Sequence, residues 1–247
     1  MWLLGFQDRG KIDEATSEKT AYKNSYANAA FRTLNTMLAE AVRQNLISCN
    51  PCNNVKRLKN NRKEIRILTL DEVQRLFPKK YETIWGDKII PYAANRLASI
   101  TGMRIGEIIG FKGEFMFDQY IYVCGQYGSL GYENHTKTKE NRSIPIASSM
   151  MGILLELKKV NGNGYLFSLD GGATPVCANY IAQELNKALN KIGITKDEKK
   201  QRGLTLHSWR HFLNTDLQRQ GLTIPQVQGV TGQTVSKAQA DNKRYAQ

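Results

Sequence analysis

The sequence predicts a mainly α-helical fold with a small antiparallel β-sheet. Apolar residues recur at helical spacing over most of the chain. A β-branched and aromatic stretch at 115–126 and the tetrapeptide Ser-Ile-Pro-Ile at 143–146 are the two strand candidates, and the basic turn between them favours antiparallel pairing. With 247 residues and 41% hydrophobic content, the chain can form a sizeable core, which excludes wholesale disorder.

The first strongly patterned element is an amphipathic helix of about 20 residues, predicted over 26–46 from its apolar spacing. The pattern stops at Ser-Cys-Asn-Pro, residues 48–51, because proline cannot continue a helix. One amphipathic helix cannot bury its own apolar stripe. Residues 1–60 are therefore expected to be a partial helical segment, which either packs on missing or partner protein or is part of an incomplete helical domain.

A basic run at 56–66 follows, with six cations and one anion in eleven residues. We interpret it as an interdomain linker, which is either a solvated connector or a strap across a phosphate backbone. Thr69 and Glu72 then predict a capping box that opens a helix. A second domain is accordingly expected over 67–247. The backbone-contact candidates of the basic run are Lys56, Arg57, Lys59, Arg62, Lys63 and Arg66.

Within the second domain, residues 91–111 are expected to form a helix, a turn at Thr101 and Gly102, and a short second helix. The two strand candidates come next, on either side of a basic turn at 136–142. The remainder is predicted to be mostly helical, at about 148–159, 175–192, 206–220 and 224–230.

The charge balance narrows the class of partner. The chain carries 35 Lys and Arg against 22 Asp and Glu, a formal net charge of +13. Such a surplus indicates a polyanionic binding partner, most readily nucleic acid and next an anionic membrane surface. An enzyme that is basic without such a partner is the remaining alternative. There is no apolar run of about 18 residues and the amino terminus lacks signal-peptide features. We therefore expect a soluble cytoplasmic protein.

Cysteine and histidine usage does not favour a metal centre or a disulfide framework. Cys49 and Cys52 have metal-ligand spacing, but no second Cys or His pair completes the set. His135, His207 and His211 are too scattered for a histidine-rich site. We expect free thiols and no bound metal.

Five side chains, spread along the second domain, form a set that suits phosphodiester chemistry. A guanidinium is permanently charged and can donate two hydrogen bonds to phosphate oxygens. Arginines therefore stabilise the negative charge that builds up as phosphorus becomes five-coordinate. A lysine can protonate a leaving oxygen, and a tyrosine phenol can attack if its proton is accepted. The set comprises Arg104, Lys137, His207, Arg210 and Tyr245.

In this order, the set resembles the tyrosine recombinases, the phage integrase family. Thr-Gly-Met-Arg-Ile-Gly-Glu at 101–107 resembles the family's Thr-Gly-x-Arg-x-x-Glu motif, and the turn at 136–146 resembles the hairpin that carries the catalytic lysine. His-Ser-Trp-Arg-His at 207–211 matches the His-x-x-Arg-His box, and Arg-Tyr-Ala at 244–246 resembles the nucleophile segment.

The resemblance implies a role for each site residue. Arg104 and Arg210 would stabilise the phosphoryl oxygens, His207 would accept a proton or donate a hydrogen bond to phosphate, and Tyr245 would be the nucleophile. The spacing to Pro145 favours Lys137 over Lys139 as the proton donor, which leaves Lys139 as a backbone contact. Glu107 and His211 would orient the site.

The sequence departs from the family pattern in two places. Gln233 stands where the family usually has histidine or tryptophan, and glutamine can donate a hydrogen bond but cannot exchange a proton. The family usually has a four-helix core-binding domain that closes a clamp around DNA, whereas residues 1–60 match only its last helix or two. We expect a truncated core-binding segment followed by a complete catalytic domain.

The resemblance further implies site-specific recombination for integration or excision of a prophage or mobile element, through a 3′-phosphotyrosyl intermediate. It implies double-stranded DNA as partner, a homotetramer on DNA, no cofactor or metal, and a bacterial or phage-encoded, nucleoid-associated enzyme. Two alternatives stay open, an inactive integrase remnant that only binds DNA and a type IB topoisomerase-like enzyme. Each residue also has a structural alternative, such as an Arg104–Glu107 ion pair or a solvated Lys137.

Overall fold

The computed structural model describes residues 11–12, 19–59, 66–136 and 141–232, and this part of the chain is mainly helical with short antiparallel strand pairs. The predicted fold class is confirmed. The chain divides into two compact units, Met1–Lys63 and Glu64–Gln247. None of the described helices is long and apolar enough to cross a bilayer.

The first unit is built on one long helix. Strands β1 (Lys11–Ile12) and β2 (Lys19–Thr20) pair antiparallel, and helix α1 (Asn24–Arg43) follows them. This confirms the predicted amphipathic helix, whose ends lie two or three residues earlier than expected. A small apolar cluster on α1 is formed by Ala27 and Phe31 with Cys52.

The basic run is fixed to α1 where it is described. The Asn28 side chain brackets Leu58, donating through Nδ2 to its carbonyl at 2.8 Å and accepting from its N–H at 2.9 Å. With the backbone of Leu58 held in this way, Lys56, Arg57 and Lys59 are exposed on either side of it. Arg62 and Lys63 lie outside the described residues.

The second unit contains nine described helices and four described strands. Its strands form two antiparallel pairs, β3 with β6 and β4 with β5. The helices are α2 (Leu70–Leu76), α3 (Glu82–Trp85), α4 (Ile89–Thr101), α5 (Ile105–Ile109), α6 (Ser148–Asn161), α7 (Ala178–Lys191), α8 (Lys196–Arg202), α9 (Ser208–Arg219) and α10 (Ile224–Thr231), and the strands are β3 (Tyr120–Val123), β4 (Gln126–Gly128), β5 (Gly131–Glu133) and β6 (Arg142–Pro145).

Helix α4 is the centre of this unit and packs against α5, α6, α7 and α9. Leu97 in α4 and Trp209 in α9 are among its fully buried side chains, and both belong to one large apolar cluster. The Trp209 indole also donates from Nε1 to Oδ1 of Asn95 in α4 at 2.8 Å. Burial of aromatic surface and a satisfied polar tip together fix α9 on α4.

The predicted capping box at the start of this unit is confirmed. Glu72 donates its N–H to Oγ1 of Thr69 at 3.2 Å, and the Thr69 N–H donates to Oε2 of Glu72 at 2.8 Å. Arg202 at the end of α8 then binds Glu72 through two donors, each at 2.8 Å, and donates to the Ile67 carbonyl at 2.9 Å. The first turn of α2 is thereby tied to a segment 130 positions later.

The strand prediction over 115–126 is wrong in its extent. Residues Gly113–Phe115 form a 3₁₀ turn, β3 covers only Tyr120–Val123, and Gln126 begins a separate strand. The 143–146 candidate is shifted by one residue, to Arg142–Pro145. The predicted antiparallel pairing of the two strand candidates is confirmed, because β6 pairs with β3. The basic turn itself lies between β5 and β6 in the chain.

Candidate active site

Arg104 stands at the start of α5, directly after a tight turn. Helix α4 ends at Thr101 with Gly102 in the left-handed conformation at φ 63°. A Cβ atom on residue 102 would lie 3.0 Å from Cγ2 of Thr231, so the close approach of α10 also favours glycine. The predicted helix, turn and short helix are confirmed, and the turn sets the position of Arg104.

Glu107 is the hub of an ion cluster at this turn. Its Oε1 accepts from Nη1 of Arg104 at 2.8 Å, and its Oε2 accepts from the Arg104 N–H at 3.0 Å. Nη2 of Arg142, at the start of β6, donates to the same Oε2 at 2.7 Å. The structural alternative, an Arg104–Glu107 ion pair, is thus present, and it leaves Arg104 partly exposed at 20% of its side-chain surface.

The Glu107 carboxylate is fully buried yet ionised. Burial by itself raises its pKa, but attraction to Arg142, the hydrogen bond from Arg142 and the contacts of Arg104 outweigh burial and lower the pKa below its ordinary value. A buried carboxylate is stable only when it is paired and hydrogen-bonded. Two guanidiniums and one carboxylate therefore form a fixed cluster with a net charge of +1.

Gly232, at the end of α10, closes the cluster. Its carbonyl accepts from Nη2 of Arg104 at 3.3 Å. It is left-handed at φ 62°, and a Cβ atom here would lie 2.9 Å from Nη1 of Arg142. The left-handed conformation favours glycine, and a Cβ atom would displace the Arg142 guanidinium. The next residue is Gln233, which lies outside the described residues.

Arg210 reaches the same turn from α9. Its Nη1 donates to the carbonyl of Gly102 at 2.9 Å, and the residue is 2% exposed. The hydrogen bond links a side chain to a backbone group 108 positions earlier. Because Gly102 precedes Arg104 by two residues, this bond brings the two predicted arginines to one turn of the chain.

The two predicted site histidines lie at the start of α9, close to Arg210 in the sequence. His207 is exposed at the N-cap position, and His211 is buried. Their rings are in edge-to-face contact, with centroids 4.7 Å apart. His207 is therefore accessible to a ligand, whereas His211 packs against its ring from a buried position.

The structure thus gathers Arg104, Glu107, Arg210, His207 and His211 around the α4–α5 turn and the start of α9. The other predicted site residues, Lys137, Lys139, Gln233 and Tyr245, lie outside the described residues. Among the described residues, no group of three His, Cys, Asp or Glu is placed to hold a metal ion. All four cysteines are described, and their thiols are free.

Arg142 is the site residue that sequence reasoning missed. In the sequence it is only the last cation of a basic turn, and its partner Glu107 lies 35 positions away. Glu107 nevertheless carries a signal. A carboxylate on a short, otherwise apolar helix is expected to be buried, and a buried carboxylate must be paired.

The arrangement suits the binding of a phosphate group. Arg104 is partly exposed at the turn that Arg210 contacts, and His207 is exposed at the start of the helix that carries Arg210. Arginine binds phosphate oxygens through paired N–H donors. The donors are held by a buried carboxylate and by backbone carbonyls before any ligand arrives. Such preorganised donors stabilise charge that develops during phosphoryl transfer.

Comparisons with known proteins show the family of this chain. The family model described as the phage integrase family matches residues 66–238, more than half of the chain. The chain therefore belongs to the phage integrase family. A probable integrase/recombinase protein of Methanocaldococcus jannaschii is 26% identical over 141 residues, which are 56% of this chain and 40% of that protein. The match thus spans about two fifths of that relative.

Solved structures share the fold. The Tn1549 transposon integrase in complex with transposon right end DNA gives a TM-score of 0.74 at 20% identity, over 100% of this chain and 79% of that chain. A lambda integrase dimer bound to a COC′ core site gives 0.67 at 19% identity, over 100% and 78%. A lambda integrase tetramer bound to a Holliday junction gives 0.64 at 20% identity, over 88% and 59%.

Proposed function

We propose that this chain is a site-specific DNA recombinase that cuts and rejoins duplex DNA through a 3′-phosphotyrosyl intermediate, in the integration or excision of a prophage or other mobile element. The observation that carries the proposal is the 2.9 Å hydrogen bond from Arg210 to the Gly102 carbonyl, which brings both motif arginines to one turn. Membership of the phage integrase family and the DNA-bound integrases of the same fold support it.

Arg104 and Arg210 contact the non-bridging oxygens of the scissile phosphate. Negative charge builds on these oxygens as a fifth oxygen bonds to phosphorus, and fixed guanidiniums stabilise that charge without reorganising. One oxyanion donor of this kind changes a rate by about 10²–10³-fold in well-studied enzymes. His207, exposed beside Arg210, accepts a proton or donates a hydrogen bond to phosphate.

Tyr245 attacks the phosphorus through its phenolic oxygen, and the bond to the 5′-oxygen of the next nucleotide breaks. The phenol proton passes to His207, and Lys137 donates a proton to the departing 5′-oxygen, so that a 5′-hydroxyl is released. The phosphotyrosyl diester retains the energy of the broken bond. Attack by another strand's 5′-hydroxyl then reverses the same steps and rejoins DNA.

The exposed cations of the basic run contact the DNA backbone outside the cleavage site. Lys56, Arg57 and Lys59 are exposed around the anchored Leu58, where they can neutralise phosphates and release counterions. Arg62, Lys63, Arg66 and Lys139 serve the same purpose. Two lambda integrase structures of this fold are a dimer and a tetramer on DNA, which supports assembly of this chain on DNA as a tetramer.

Covalent capture from randomised DNA tests the proposal at whichever sequence the protein cleaves. The protein is mixed with a pool of nicked duplexes of randomised sequence, so that cleavage next to the nick releases a short fragment and traps the adduct. We expect protein–DNA adducts that survive denaturation, and their recovered sequences should converge on one site. Tyr245→Phe, which keeps the ring and removes the nucleophile, is the matched control and should give none.

Two other results would contradict the proposal. Salt-sensitive DNA binding without any adduct would identify a DNA-binding integrase remnant without strand-cleaving activity. Relaxation of supercoiled DNA at no preferred sequence would identify a type IB topoisomerase-like enzyme.

A further inference from the structure

Arg142 donates a hydrogen bond to one oxygen of the Glu107 carboxylate, and the Arg104 side chain donates to the other oxygen. The Glu107 side chain is 0% exposed and Arg142 is 8% exposed, so this ion pair is shielded from water. Oε1 accepts from the Arg104 side chain, whereas Oε2 accepts from Arg142 and from the Arg104 backbone. The carboxylate therefore has a different guanidinium at each oxygen.

This arrangement has a consequence for charge. Glu107 alone would neutralise Arg104, and a neutral ion pair attracts a phosphate weakly. With Arg142 as a second partner, the cluster has two positive charges and one negative charge. Arg104 thus remains hydrogen-bonded to a carboxylate while the cluster keeps its net positive charge.

Arg142 also contacts Gly232, the residue directly before Gln233. A Cβ atom on Gly232 would lie 2.9 Å from Nη1 and 3.2 Å from Cζ of Arg142, so the guanidinium packs directly on the Gly232 backbone. The Gly232 carbonyl accepts from Arg104 at 3.3 Å. Among the described residues, Nε and Nη1 of Arg142 have no hydrogen-bond partner, so Glu107 is the partner that orients this side chain.

We propose that Arg142 is a positioning residue of the recombinase site, which balances the charge of Glu107 and so keeps Arg104 oriented and cationic for phosphate. This inference rests on the proposed function for the identity of the reaction. Arg142 acts through the Glu107 carboxylate and through Gly232.

The first experiment measures anion binding, which does not require strand cleavage. Inorganic phosphate is titrated against the full chain, and its dissociation constant is taken from the shift in thermal midpoint. We expect Arg142→Gln to weaken phosphate binding by about tenfold, because Glu107 then neutralises Arg104. Arg142→Lys, which keeps the charge, should retain most of the affinity. Arg219→Gln removes an exposed arginine on α9 and is the matched control.

A double variant separates charge balance from simple destabilisation. In Arg142→Gln with Glu107→Gln, the neutralising carboxylate is absent, and we expect phosphate affinity to recover in part even if the thermal midpoint without phosphate stays low. Unchanged phosphate affinity in Arg142→Gln would overturn the proposal. Equal loss in Arg142→Gln, Arg142→Lys and the double variant would also overturn it, since that result indicates a purely structural role.

The second experiment measures the rate of adduct formation on the DNA sequence recovered by covalent capture, at saturating DNA concentration. We expect Arg142→Gln to lower the first-order rate by about tenfold or more while DNA affinity changes by less than about threefold, because the effect is on the phosphate and not on backbone contacts. If the wild-type chain forms no adduct, the proposed function fails, and the phosphate titration alone decides the role of Arg142. If adducts form and Arg142→Gln changes neither measurement, the positioning role fails and the proposed function stands.

Discussion

Nη1 of Arg210 donates a hydrogen bond to the carbonyl of Gly102 at 2.9 Å. Gly102 ends α4 in a left-handed conformation, and its carbonyl accepts from a side chain of α9. A single glycine thus directs the chain toward Arg104 and holds Arg210.

Arg210→Lys tests the need for a guanidinium in this place. Lysine has the charge but not the planar fork, so one ammonium cannot hold the Gly102 carbonyl and two phosphate oxygens in fixed geometry. We expect the rate of adduct formation to fall by about 10²–10³-fold. DNA affinity, measured by fluorescence anisotropy, should change by less than about threefold, and an equal fall in affinity would argue against a role in chemistry.

Gly102→Ala tests the turn itself. Alanine at φ 63° costs about 1–2 kcal/mol, and its Cβ would lie 3.0 Å from Thr231 and 3.2 Å from Leu213. We expect the free energy of unfolding to fall by about 1–3 kcal/mol in urea titrations, since contact strain adds to the backbone term.

Gly152→Ala is the matched control for that substitution. Gly152 is exposed in α6, and a Cβ atom there would have nothing within 4 Å. Alanine has the higher helix propensity, so stability should rise by up to about 1 kcal/mol. Equal effects at the two glycines would contradict the strain assigned to residue 102.

Acid should weaken the bond between Arg202 and Glu72. The hydrogen bond from Arg202 is the main cause that lowers the pKa of Glu72 below its ordinary value of 4.5, against the opposing effect of burial. A group with a lowered folded-state pKa contributes stability above its unfolded pKa, and that stability is lost as pH falls through the folded pKa. Arg202→Ala should therefore cost about 1–3 kcal/mol at pH 7 and clearly less at about pH 3.

Urea unfolding of the wild type and Arg202→Ala across that pH range checks this expectation. Arg219→Ala, which removes an exposed arginine, should cost little at any pH. A constant difference between wild type and Arg202→Ala from about pH 7 to about pH 3 would show that Glu72 is not the titrating partner.

The basic run should set part of the salt dependence of DNA binding. Each neutralised phosphate contributes about −0.9 to the slope of log affinity against log salt concentration. If Lys56, Arg57 and Lys59 each contact one phosphate, changing all three to glutamine should make the slope less steep by up to about 2.7.

A triple variant of equal charge is the control. Replacing Lys196, Lys199 and Lys200 of α8 by glutamine lowers the net charge by the same amount at a different place. Equal changes in slope for the two triple variants would indicate a general effect of net charge and would contradict a specific strap.

Local signals account for the parts of this fold that the sequence predicts well. The box at Thr69 and Glu72 involves residues three apart, and the turn at Gly102 interrupts a helical pattern. The long helices carry apolar spacing that depends only on neighbours along the chain. Arg104 and Arg210 could be predicted because their motifs are local, and their meeting at Gly102 is a tertiary contact of those motifs.

Other elements lack such signals. Helix α8 has no buried residue and hence no apolar period, although Thr195 caps it by accepting from the Glu198 N–H. Strands β4 and β5 are three residues each, too short to show alternation. Arg142 is recognised only through Glu107, because a long-range ion pair leaves no spacing pattern in the sequence.

The most direct test of the central claim is the identity of the residue bonded to DNA. The captured adduct is treated with nuclease, the protein is digested with a protease that cuts before aspartate, and the peptide 241–247 is analysed by tandem mass spectrometry. We predict a nucleotide bonded through phosphate to the Tyr245 oxygen. A nucleotide on any other residue, or an unmodified 241–247 peptide from a stable adduct, would contradict the assignment of Tyr245 as the nucleophile.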